Sequence, residues 1–130
     1  MTPEFTDIRI TGLDLERTRK SRTYPGLRNV FLSLSETPPR AWSKFFAASR
    51  QHPRHQHWRD AWVEGKAIVV DCVPDEIETY HMADLRFDIE NANQRYRECL
   101  ASAAKRAARE RDAQAEERAR LEDIGKRLGF

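Results

Sequence analysis

From Asp75 to Ile124 the chain contains neither glycine nor proline. A run of that length without a helix breaker or a chain-reversing residue reads as helix through to Gly125. Within it Met82, Leu85, Ile89, Ala92, Tyr96, Cys99 and Ala103 recur at alternating steps of three and four, which is a heptad seam. Carried forward, the seam is expected to keep one register through Ala107, Glu110, Gln114 and Glu117, which are small or polar, to Leu121, Ile124 and Leu128. Glu116 with Arg120, Glu122 with Lys126 and Asp123 with Arg127 stand in the favourable acid-first i,i+4 order, each pair contributing about 0.3 kcal/mol to the helix.

Length then constrains architecture. A helix from Met82 to Leu128 would measure roughly 70 Å at about 1.5 Å per residue, whereas a compact domain of about 100 residues has a radius of gyration near 13 Å. Half of such a helix is expected to project. The seam from Met82 to Cys99 reads as the face that covers a sheet. Leu121, Ile124 and Leu128 lie beyond that reach and require a partner. The expected organisation is an α+β domain over residues 1–100, which includes the first part of the long helix, and a projecting, coiled-coil-like helical arm over 101–130. Leu121, Ile124 and Leu128, with Ala103 and Ala107, are the expected partner-binding positions. The expected partner is a second copy of the chain, as a homodimer or larger assembly, or an unidentified protein.

The preceding residues supply a sheet. Thr6, Ile8 and Ile10 alternate with Asp7 and Arg9, as in a strand with one wet face that Gly12 ends. Residues 15–28 are basic and polar and carry a Pro-Gly turn signal at Pro25, so they read as a long loop. Val30, Leu32 and Leu34 alternate with Ser33 and Ser35 in a second strand, with Phe31 breaking the pattern. Thr37 before Pro38 has the form of a helix start, and Trp42, Phe45, Phe46 and Ser49 then fall at helical spacing, leaving Arg40, Lys44 and Arg50 to solvent until His52-Pro53 closes the helix. Residues 58–63 and the apolar stretch from Ala67 to Val73 flank Glu64-Gly65-Lys66 and are expected to form a hairpin with its second arm central. Asp75 and Glu78 have capping-box spacing at the start of the long helix, and Tyr80-His81 interrupts the pattern, which allows a short helical turn over 75–80 followed by a kink near His81. The fold class is therefore α+β: a small, mostly antiparallel sheet of about four strands, in ββαββα order with one short helix.

Composition narrows the function classes. The chain's 130 residues fit one ordinary domain, and its formal charge of +2 is too near neutral to argue by itself for nucleic acid or membrane. No apolar run approaches the ~20 residues of a membrane span, and the acidic opening from Met1 to Asp7 does not read as a signal peptide. Cys72 and Cys99 read as buried thiols of a reducing compartment, and a cytoplasmic protein is expected.

Three clusters offer chemistry. His52, His55 and His57 are close enough to suggest a shared metal, but Pro53 prevents the helical arrangement that would aim them together and no acid stands nearer than Asp60, so a solvated loop or a cap on the tryptophans is the plainer reading. Asp71, Asp75, Glu76, Glu78, His81 and Asp84 resemble a carboxylate metal site, yet acids at a helix start already account for them. Arg17, Arg19, Lys20, Arg22 and Arg28, with Tyr24 among them, combine cations for phosphate with an aromatic for stacking. They make nucleic acid the alternative partner. With no nucleophile elbow, phosphate loop or HExxH pair, no enzyme activity, cofactor or metal is expected. Trp42, Phe45, Phe46, Trp58 and Trp62 are expected in the core between helix and sheet.

Overall fold

The computed structural model describes residues 5–130; the first four residues of the acidic opening lie outside the described residues. Strands β1 (Ile10–Lys20), β2 (Arg28–Leu34), β3 (Ala61–Glu64) and β4 (Ala67–Cys72) form one antiparallel sheet in the order β1-β2-β4-β3, with helix α1 (Arg40–Arg50) between the strand pairs. A 3₁₀ turn at Pro74–Glu76 and a π-helical turn at Ile77–His81 lead into α2 (Met82–Arg127). The fold is thus α+β in the expected order. Two compact units are distinguished along the chain, one running up to Tyr96 and the other Arg97–Phe130.

In the first unit the sheet's alternation makes two cores. Val30 pairs with Val70 and Leu32 with Ile68, and these side chains join Trp42 and Phe46 of α1 and Leu85, Ile89 and Ala92 of α2 in the main cluster. Phe31 pairs with Val69 on the opposite face and, with Ala67, forms a second small cluster. That is why Phe31 breaks the two-residue pattern: both sheet faces are covered at β2, one by helices and the other by arginines. Arg17 and Arg19 of β1 lay their guanidinium carbons 4.5 and 4.9 Å from the Phe31 ring centre. The hairpin is as expected. Glu64 pairs with Ala67, and Gly65 at φ +58° supplies the left-handed conformation that the two-residue turn requires. β4, the most apolar strand, is buried along its whole length between two neighbours.

Several local expectations are corrected. The first strand is not residues 5–10 ended by Gly12; it starts at Ile10, passes through Gly12 and runs to Lys20, so half of the expected 15–28 loop is strand. Backbone pairing with β2 overrides the polar composition, because an edge strand keeps much of its surface wet. Ile8 is buried without belonging to a strand: its N–H donates to Asn93 Oδ1 and its carbonyl accepts from Asn93 Nδ2, both at 2.9 Å. Asn93 Oδ1 also accepts from Trp42 Nε1 at 2.8 Å. Helix α1 begins at Arg40 with Pro39 at its cap, not at Thr37-Pro38, and ends at Arg50. Arg50 is buried instead of solvated, drawn in by Asp88. No side-chain cap is made at Asp75, and the short helical turn ahead of Met82 is a 3₁₀ turn at Pro74–Glu76 followed by a π-helical turn at Ile77–His81. Trp62 pairs with Val69 on the outer sheet face and stays about one third exposed, while Trp58 is half-buried beside arginines, so neither belongs to the main core. Cys72 is buried, and burial pushes its thiol up to about 12; Cys99, expected to be buried, is exposed.

Described by itself, the second unit is helical to Arg127. Among its described residues none is buried, and only Leu100, Ala108 and Gly125 are better than exposed. The steps Cys99 to Ala103 and Ala103 to Ala107 are both of four, so the seam does not keep one heptad register; it shifts by one residue there, as at a coiled-coil stutter. Asp123 pairs with Arg127 at 3.6 Å as expected, while Glu122 pairs with Arg118 at 3.5 Å.

Candidate functional site

Beyond Arg97 the helix surface mixes charged residues with alanines and carries an apolar stripe. Leu121, Ile124 and Leu128 recur at steps of three and four on one face and are 60%, 40% and 64% exposed. Ala103 and Ala107 share that face and are exposed as well. A helix gains most of its stability in water by burying such a face against another element. Within this unit nothing buries it.

The basic segment from Arg17 to Arg28 divides into two parts. Arg17 and Arg19 are committed to covering Phe31, and Arg19 also pairs with Glu64 at 3.8 Å. Lys20, Tyr24 and Arg28 line a small cleft of about 220 Å³ at the β1–β2 turn, with Gly26 at φ +86°. Arg22 is exposed on the same turn. The six residues are therefore not one patch.

A third site was not legible as a site. Asp88 of α2, fully buried, accepts from Arg50 Nη1 at 3.0 Å, from Arg54 Nη2 at 2.9 Å through both oxygens, and from the Ser49 hydroxyl. Asp84, one helical turn earlier, pairs with Arg54 Nε at 3.4 Å and with His55 Nε2 at 2.6 Å. The Arg50 guanidinium stacks on Trp58 at 3.7 Å, and Arg54 lies over Trp58 at 4.7 Å and over Phe87 at 4.8 Å. Burial pulls the Arg50 guanidinium below its ordinary value, and Asp88 opposes that shift. Nearby His81 is buried, and burial, followed by the Arg50 charge, holds its imidazole below the usual range. Here the carboxylate's lone pairs are spent on two guanidiniums and a hydroxyl. The arrangement clamps α1 and the following loop to α2.

This network redistributes the expected histidine and acidic clusters. His55 meets Asp84, not Asp60, and sits edge-on to Trp58, while His57 stacks on Tyr80 with ring centres 4.0 Å apart. Asp71 accepts from Asn29 across the sheet at 3.3 Å. Among the described residues no group of three or more His, Cys, Asp and Glu is placed to hold a metal, and no helix is long and apolar enough to cross a membrane. The sequence signal that was missed is paired spacing: Asp84 and Asp88 are four apart, as are Arg50 and Arg54.

Compared with protein-family models, curated proteins and solved structures, the chain matches none.

Proposed function

We propose that this protein is a non-catalytic interaction module that self-associates, or holds another protein, through the part of α2 beyond Arg97. The observation that carries this reading is the exposure of Leu121, Ile124 and Leu128 together on one helix face. Ala103 and Ala107 extend the face with side chains small enough for a second helix to approach closely. The first unit, on this reading, is a scaffold whose buried polar clamp joins α1 to the first turns of α2.

The test is light-scattering mass of the intact chain on a sizing column, beside the Leu121→Asp variant. The expected result is a defined assembly that Leu121→Asp reduces to single chains without altering the unfolding transition of the first unit. A single-chain mass for the unaltered protein over the accessible concentration range would remove self-association.

A second reading, contact with nucleic acid, is favoured by the cleft that Lys20, Tyr24 and Arg28 share. Retention on DNA or RNA that falls steeply with salt, and is lost when Arg19, Lys20 and Arg22 are replaced by glutamate, would support it.

A further inference from the structure

The exposed helix carries its charge in two blocks of opposite sign. Residues 101–111 hold Lys105, Arg106, Arg109 and Arg111 against the single acid Glu110. Residues 113–123 hold Glu116, Glu117, Glu122 and Asp123 against Arg118 and Arg120. Asp112 separates the blocks. Every one of these side chains is exposed. A second copy laid parallel and in register would set the basic block on the basic block and the acidic block on the acidic block. Laid antiparallel about Asp112, each block meets its opposite.

The positions along this face, apolar and polar alike, carry the same symmetry. Ala103 and Leu121 lie equally far from Asp112, as do Ala107 and Glu117, Glu110 and Gln114, and Leu100 and Ile124. In an antiparallel pair these become the layers of the seam. Leu121 of one chain then stands against Ala103 of the other, and large against small is how helix ridges fill facing grooves at close separation. Parallel pairing would instead set alanine against alanine, which leaves the seam thin, and leucine against leucine. The stutter at Ala103–Ala107 is part of this arrangement. From Ala103 to Leu121 the steps read four, three, four, three, four, the same in either direction.

We infer that the helix beyond Arg97 is a self-complementary surface whose occupant is a second copy of this chain, paired antiparallel and centred at Asp112. The inference rests on the interaction reading above and adds its partner, orientation and register. Charge complementarity sets the orientation, since like-charged blocks in contact disfavour the parallel alternative. The leucine-on-alanine layers set the register.

Cys99 supplies the test. About Asp112 its equivalent position is Gly125, which is helical and has open space where a Cβ would stand. In the antiparallel pair the two native Cys99 residues are roughly 39 Å apart at about 1.5 Å per residue, while positions 99 and 125 of opposite chains share a layer. The full chain is oxidised with copper phenanthroline, each new bond releasing two thiol protons and passing two electrons to the oxidant. The unaltered protein is expected to remain uncrosslinked. Gly125→Cys is expected to give a covalent dimer whose peptide map joins position 99 of one chain to position 125 of the other, and Cys99→Ser in that background should abolish it. A 99-to-99 bond in the unaltered protein overturns the antiparallel pairing. So does the absence of the 99-to-125 bond in a Gly125→Cys chain that light scattering shows to be a dimer. A single-chain mass overturns the self-association reading instead, so the two failures are told apart.

Discussion

Arg50 and Asp88 form an ion pair at 3.0 Å with their side chains 6% and 0% exposed, joining the last turn of α1 to the core-facing side of α2. Removing one partner leaves buried charge uncompensated, so Asp88→Asn is expected to destabilise the first unit by about 3–5 kcal/mol. Urea unfolding followed by tryptophan fluorescence measures it. Arg54, which is about one third exposed, pairs with the same carboxylate but stays in contact with water. Arg54→Ala is therefore expected to cost less, about 1 kcal/mol.

His81 gives the first unit a predictable response to acid. Burial holds its imidazole below the ordinary 6.5, with Arg50, His55 and Arg59 acting in the same direction and Glu76 opposing. Folding thus favours the neutral ring. Stability is full above the unfolded value, and it falls as pH drops below about 6.5, because the unfolded chain takes up the proton first. The urea midpoint is expected to decline as pH falls below about 6.5, and His81→Gln should flatten that slope. An unchanged slope would show that other groups control it.

Asn93 holds the segment before β1 by two hydrogen bonds to the backbone of Ile8 and accepts a third from Trp42 Nε1 of α1. Asn93→Ala strands those buried groups and is expected to cost about 2–4 kcal/mol. Hydrogen exchange at the Ile8 amide should rise more than exchange within β4. Equal acceleration at both would mean the contact is global and does not specifically fasten this segment.

Arg17 and Arg19 act as the lid of the second small core. The double change to alanine is expected to cost about 1–2 kcal/mol, the sum of two cation–π contacts at a partly wet site. Binding of a hydrophobic dye should increase as Phe31 is uncovered. No change in either quantity would mean that the arginines merely lie near the ring.

Legibility followed pattern length. The long helix declared itself by an unbroken absence of Gly and Pro, and β4 by its apolar run beside Gly65. β1 was hidden because an edge strand with arginines over one face does not alternate in the ordinary way, and Phe31 is intelligible only once Arg17 and Arg19 are seen above it. The Asp88 clamp was hidden for another reason. Asp88 lies 34 to 39 residues from its partners Arg54, Arg50 and Ser49, and Arg50 on a helix surface looks like any solvated cation until Asp88 faces it. Leu121, Ile124 and Leu128 were legible as one helix face from spacing alone, and all three are exposed.

β1 also determines how the sheet meets other molecules. It is an edge strand carrying exposed Leu13 and Leu15, a combination that ordinarily invites a foreign strand to dock. Its pairing register slips twice, between Ile10 and Gly12 and between Asp14 and Arg19. Irregularities of this kind bend and twist an edge away from the straight ladder that strand addition requires. A stray chain laid along β1 meets a bent, irregular strand in place of a straight ladder, which disfavours growth of the sheet from this edge.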